Sequence, residues 1–155
     1  MPQARKKSAN SERAPTAQLP QSLLPFTGFL LNKAAQNARE TFDQLLAPLK
    51  FRSRHFGLLS VLNESGPITQ QDAGALMRVD RSTMVLLVDE LERLALVERC
   101  EHPTDRRAHA LYLTAKGRKA REKAARIAGK MHAQFLKPLS AQEREILNDF
   151  LIRLL

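Results

Sequence analysis

Apolar residues recur along the chain in two rhythms, and the change from one to the other divides it into elements. Over residues 23–46, extending to the next turn, Leu30, Ala34, Ala38, Phe42, Leu45 and Leu49 fall at steps of three and four. That spacing lines them on one face of a helix. Pro48 ends the pattern, because proline offers no amide hydrogen to the next helical bond. A second helix is expected after Ser53, with Phe56, Leu59 and Leu62 inward and Gly66-Pro67 closing it. Thr69-Gln70-Gln71-Asp72 has the form of a helix start in which Thr69 accepts from free backbone amides. A short helix then runs to about Met77. Asp80 caps the next one, which carries Met84, Leu87, Val88, Leu91 and Leu94 on its buried stripe. A short helix, a tight turn and a second amphipathic helix make a helix-turn-helix.

The period then drops to two. Val97-Glu98-Arg99 and Ala110-Leu111-Tyr112-Leu113 read as strands on either side of a polar loop, 100–109, that holds Pro103, Asp105, Arg106 and Arg107. Two strands with a basic tip directly behind a helix-turn-helix describe a wing. Thr114 caps a long helix with Ala120, Ala124, Ile127, Met131 and Phe135 on one face. Its first half is crowded with Lys116, Arg118, Lys119, Arg121, Lys123 and Arg126. Ser140 and Glu143 form a capping box for a last helix that carries Ile146, Leu147, Phe150, Leu151 and Leu154. The expected fold is mainly α: a winged helix-turn-helix over 53–113 with a small antiparallel β wing, flanked by long terminal helices. Residues 1–21, polar and basic with no period that buries a face, read as a disordered arm ahead of one domain over 22–155.

Composition narrows the function. The 155 residues are 43% hydrophobic, with no Trp and few Gly, which suits a helical protein with a real core. No apolar run is long enough to cross a bilayer, and none follows Arg5, Lys6 and Lys7 as a secretory signal requires. One cysteine, Cys100, excludes an internal disulfide framework, so a reducing cytoplasmic setting, associated with the nucleoid, is expected. The net charge of +9 attracts polyanions without saying which. His55, His102, His109 and His132 have no metal-ligand spacing, and no carboxylate cluster or nucleophile with a base is evident. Neither metal, cofactor nor catalytic activity is expected.

Three pieces in order carry a resemblance: Val79-Asp80-Arg81-Ser82-Thr83; Leu91-Glu92 with Leu96-Val97-Glu98-Arg99; and Asp105-Arg106-Arg107 followed by Leu113-Thr114 and Gly117. Together they resemble the core of the MarR family of bacterial and archaeal regulators, and the flanking helices extend the likeness over nearly everything after residue 22. The resemblance implies a non-catalytic transcription regulator, in the repressor mode, that binds double-stranded DNA as a homodimer.

The residue chemistry agrees. The N-terminal residues of a recognition helix face base edges in the major groove, which here selects Arg81, Ser82, Thr83, Val85 and Leu86. Thr69 and Gln70, at the start of the preceding helix, join the DNA-facing set. Arg81 suits guanine or phosphate, while Ser82 and Thr83 serve as caps as well as donors. Val85 and Leu86 stand where many family members are polar or basic. They suit thymine methyls or burial against a neighbour, and the sequence leaves both open. Asp105 and Arg107 match the family's Asp-x-Arg wing motif and, with Arg106, place arginine at the minor groove. Arg78 and Ala95 replace glycines that many members carry, at positions where left-handed backbone is expected.

Leu30, Ile146, Phe150, Leu151 and Leu154 exceed what one small winged domain can cover, so the helices within 22–50 and 115–155 are expected to pair between subunits. Family resemblance also implies a small effector, aromatic or anionic, in a crevice lined by the first, second and fifth helices; Arg39, Arg52, His55, Phe56 and Ser60 are its candidates. The alternatives are redox sensing through Cys100 and a basic helical interaction protein without sequence preference.

Overall fold

Pro25 sets where the first long helix begins. In the computed structural model, which describes residues 19–101 and 109–155, a single 3-10 turn at Gln21–Leu23 precedes α1 (Thr27–Leu46). The periodicity predicts a start at 23, four residues early. Pro25 has no amide hydrogen to join the ladder, and the amide of Phe26 reaches back only to the Leu23 carbonyl, at 3.1 Å. Most of the expected arm lies outside the described residues; its last residue, Gln21, opens the turn. The chain divides into two units, 1–36 and 37–155. In the first, Lys33 donates to Gln36 and sits 5.9 Å from the centre of the Phe29 ring, while Phe26 and Leu30 are exposed.

The second unit holds the core. α1 ends at Leu46 and passes through a 3-10 turn, Ala47–Leu49, to Lys50, whose φ of 61° is left-handed. Next come α2 (Ser53–Ser65), β1 (Ile68–Thr69), α3 (Gln70–Met77), α4 (Arg81–Arg93), β2 (Val97–Glu101), β3 (His109–Leu113), α5 (Ala115–Phe135) and α6 (Ala141–Arg153). Phe42, Leu46, Leu58, Leu59, Leu62, Met84, Val88, Leu91 and Leu111 form one buried cluster at the junction of these elements. The expected stripe on α1 is one residue out of phase at its end. Leu46 joins Phe42, one turn earlier, in the buried cluster, and Leu45 is left 45% exposed, because packing against the core chooses the phase of the helix end.

The wing has one more strand than expected. Strand order is β1-β3-β2, all antiparallel, with Ile68 opposite Leu111 and Val97 opposite Leu113. β1 is two residues long and follows Gly66-Pro67, too short for alternation to reveal. β2 and β3 each run beyond the segments the alternation marks, to Glu101 and from His109.

The corner between α4, β2 and α5 is closely locked. Ala95 adopts φ 56°, as the expectation of left-handed backbone required, and turns the chain into β2. Thr114 caps α5 by accepting from the Gly117 amide at 2.9 Å, and its hydroxyl donates toward the carbonyls of Ala95 and Leu96 at 2.9 and 3.1 Å. Lys116 and Arg118, from the basic run of α5, donate to the carbonyls of Leu94 and Leu113, both at 2.8 Å. A Cβ on Gly117 would lie 2.0 Å from the Leu96 carbonyl oxygen, so only glycine fits.

Farther along, α6 has the Ser140–Glu143 capping box that its sequence predicts, yet none of its residues is buried. Phe150 is 53% and Leu154 70% exposed.

Two glycines in α5 give opposite expectations. Gly117→Ala destabilises the fold by about 3 kcal/mol, since backbone must move to admit the methyl. Gly129→Ala, where a Cβ meets nothing within 4 Å, stabilises it by about 0.5–1 kcal/mol through helix propensity. Urea unfolding of the two variants beside wild type checks both signs.

Candidate nucleic-acid interface

Local chemistry builds the helix-turn-helix. Thr69 caps α3, accepting from the Asp72 amide at 3.1 Å and donating its hydroxyl to the Asp72 carboxylate at 2.6 Å. α3 stops where Arg78 takes φ 50°, the left-handed geometry expected at this position. The Val79 amide then folds back to the Gly74 carbonyl at 2.9 Å, and the chain enters α4 through Asp80. Met84, Leu87, Val88 and Leu91 bury one face of α4. The opposite face carries Arg81, Ser82, Val85, Leu86 and Asp89.

Asp80 consumes much of the polar capacity in the first turn. It accepts from the Thr83 amide at 2.9 Å and from the hydroxyls of Ser82 and Thr83 at 2.5 and 2.6 Å. The Ser82 hydroxyl first, then the Thr83 hydroxyl and amide, hold its carboxyl well below the usual carboxylate range. Ser82 and Thr83 therefore act as part of the cap, and their free capacity is as acceptors. Arg81 is exposed and enters no ion pair among the described residues.

Arg99 on β2 ties the unit together, a role that its place in the resemblance did not reveal. Its guanidinium donates to Glu92, to Asp89 at 2.7 Å and to Gln70 at 3.2 Å, while its amide donates to Glu92 at 3.0 Å. One side chain thus links β2 with α3 and α4. It also engages Gln70, a residue expected to face DNA, from the protein side. The one hint in the sequence is that Glu92 and Arg99 recur in the pattern seven residues apart, across a turn. Asp105, Arg106 and Arg107, expected at the wing tip, lie outside the described residues.

Beside α4 is a pocket of about 360 Å³ lined by Arg39, Asp43, Arg52, Arg54, His55 and Glu90, with Thr83, Leu86 and Leu87 on the α4 side. Three of the five effector candidates meet there. Phe56 instead packs edge-on against Phe42 at 5.5 Å, and the enclosed Ser60 hydroxyl lies away from the lining with no hydrogen-bond partner among the described residues. The third wall is α4, where the sequence reading placed the fifth helix.

His55 is the buried centre of the pocket. Its Nδ1 accepts from the Arg52 amide at 2.9 Å, which leaves the proton on Nε2. That nitrogen lies 2.6 Å from a Glu90 carboxylate oxygen, with its N–H directed off the in-line position. Burial pushes the imidazole below its ordinary value, Glu90 opposes this, and Arg52 adds to it. Asp43 accepts from the Ser53 amide at 2.6 Å, anchoring the start of α2 to α1.

A sequence profile described as MarR family matches residues 49–108. The chain is 30% identical over 111 residues to the HTH-type transcriptional repressor NicR of Pseudomonas putida, a match covering 72% of this chain and 70% of that one. The chain belongs to the MarR family. It is also 33% identical over 99 residues to a putative transcriptional regulatory protein for the hcr operon of Thauera aromatica, covering 64% of this chain and 60% of the relative's length. Among solved structures, a mutant MarR from E. coli complexed with operator DNA superposes with a TM-score of 0.78 at 25% identity, over 86% of this chain and 96% of that one. CouR from Rhodococcus jostii RHA1, bound to p-coumaroyl-CoA, gives 0.74 at 29% identity, over 85% and 93%.

As a MarR-family protein the chain is a transcriptional regulator and not an enzyme. Its helix-turn-helix reaches the family geometry without the glycines common at the two turns. The described part contains no helix long and apolar enough to cross a membrane.

Acid should act on this MarR-family fold through His55. The unfolded chain, with an ordinary imidazole near 6.5, takes up a proton before the folded one does. His55's contribution is therefore intact above that value and declines as pH falls from it toward the lowered folded value. Urea unfolding at about pH 7.5 and about pH 5.5 should show a larger loss for wild type than for His55→Gln. Equal losses would remove His55 from the acid response.

Proposed function

We propose that this chain is a sequence-specific repressor that binds a pseudo-palindromic operator as a homodimer and releases it when a small effector, aromatic or anionic, binds in the pocket beside α4. The observation that carries the reading is α4 itself: a capped helix, buried on one side and tied by Arg99, with Arg81 exposed at its start. Helices of this kind lie in the major groove with their N-terminal residues toward the bases. Arg106 and Arg107 extend the contact from the wing into the minor groove, with Asp105 orienting Arg107. Thr69 and Gln70 approach the backbone from the start of α3.

Support for the dimer comes from α6. A helix with no buried residue, presenting Ile146, Phe150 and Leu154 to solvent beside half-buried Leu151, lacks its packing partner. Leu30 on α1 is likewise exposed. A two-fold dimer through these helices spaces two copies of α4 by about one turn of DNA.

Support for the effector comes from the pocket. Arg39, Arg52 and Arg54 offer cationic donors to a carboxylate or phosphate, and Leu86 and Leu87 offer apolar walls. The relative CouR is bound to an anionic aromatic thioester, p-coumaroyl-CoA. Because Thr83, Leu86 and Glu90 belong to α4, a molecule seated there bears on the reading helix without an intermediary.

Fluorescence anisotropy against the promoter of the chain's own gene, beside a scrambled duplex and over a salt series, tests the DNA reading. Preference for the promoter should reach ~10³-fold and fall sharply in Arg81→Ala and Arg107→Ala. Equal affinity for both duplexes with a steep salt slope would leave only phosphate binding, as a merely basic interaction protein gives. In sedimentation, Phe150→Asp should shift the dimer toward monomer. Across a panel of aromatic carboxylates, at least one should release DNA from wild type and fail to do so in Arg52→Ala.

A further inference from the structure

We infer that α4 discriminates bases largely through apolar contact, with Val85 and Leu86 seated on the 5-methyl groups of thymines in the operator half-site. The inference rests on the DNA-binding reading above and assigns the specificity of that same helix. Every other apolar side chain in the first three turns of α4 is buried, yet Val85 is 37% and Leu86 64% exposed. They share a shallow concavity of about 720 Å³ with Asp80, Arg81 and Ser82, at the end of the helix that enters the groove.

The polar neighbours that would ordinarily read bases there are occupied. The Ser82 and Thr83 hydroxyls donate to Asp80, and Asp89 holds Arg99. Arg81 is left as the one cation in α4 before Arg93. In the major groove thymine is the base that offers a methyl group; guanine, adenine and cytosine offer only hydrogen-bonding edges. An outward pair of aliphatic side chains therefore has one base to recognise. Arg81 beside the pair favours a polyanion as occupant over an apolar protein surface, and the solved relative with operator DNA places that occupant in this family.

Deoxyuridine in place of thymidine removes the methyl group and leaves base pairing unchanged, which isolates the contact. The full-length protein would first select a duplex from a random pool, and each thymine of the selected half-site would then be replaced in turn. At two or more positions the substitution should weaken wild-type binding about fourfold, the worth of one buried methyl group. Those penalties should vanish in the Val85→Ala/Leu86→Ala variant, whose changes are at exposed positions. Arg81→Ala should bind more weakly throughout and keep the penalties. Indifference to deoxyuridine in wild type, or equal penalties in the double alanine variant, would overturn the inference. A change of oligomeric state in Leu86→Ala would also overturn it, by placing Leu86 between copies of the chain. Failure to enrich any duplex would instead overturn the DNA-binding reading, and this inference with it.

Discussion

The geometry of this winged helix-turn-helix depends on the guanidinium of Arg99. Burial of Met84, Leu87, Val88 and Leu91 fixes how deeply α4 sits, but apolar packing is non-directional and tolerates small rolls and slides. Directional bonds from one planar donor group to Glu92, Asp89 and Gln70 remove that freedom. They also neutralise two carboxylates, Asp89 and Glu92, on the helix proposed to read DNA. Hydrogen bonds to charged groups are worth about 1.5–3 kcal/mol each at best, and less where solvent reaches them, as it does Asp89. Their consequence here is orientation more than stability.

Around that tie, the backbone takes strain at both turns. Arg78 and Ala95 are left-handed at φ 50° and 56°, where a side chain costs about a kcal/mol or more relative to glycine. Both positions are held from several sides. The Val79 amide bonds to Gly74 across the first turn, and the Leu96 amide bonds to Leu91 across the second while Thr114 holds the Ala95 carbonyl. Where neighbours determine the conformation, the identity of the strained residue is freer, and the family architecture survives the loss of its usual glycines.

Much of the fold was legible because its signals are local. Thr69, Asp80, Thr114 and Ser140 each cap the helix they precede, through bonds to an amide three residues on. What escaped depends on partners far away in sequence. β1 is a strand only because Ile68 and Thr69 pair with β3. Leu46 rather than Leu45 is buried because the core chooses the phase of the helix end. Arg99 finds Gln70 at a separation of 29 residues. At the site, the candidates Arg39, Arg52 and His55 could be grouped from their helices, but the wall they face, α4, is a tertiary fact. Phe56 is next to His55 in sequence, but one residue on a helix is a rotation of about 100°, which turns its ring away from the pocket onto Phe42.

The shared wall has a thermodynamic consequence for the proposed switch. Shifting a dimer from 99% competent to 99% incompetent needs about 10⁴-fold, or about 5.5 kcal/mol, of preference by the ligand for one state. Two or three charge-assisted bonds from arginines supply that much only if they form in one state and not in the other. The pocket provides a reason for such a difference. Glu90 sits beside His55 and lines the same pocket as Arg39, Arg52 and Arg54, so in the proposed switch an incoming carboxylate meets an anion already borne by α4. Seating the ligand on the arginines favours withdrawal of Glu90, and with it a displaced α4. Affinity for the ligand and the position of the reading helix are then two expressions of one electrostatic exchange, with no relay through the core required.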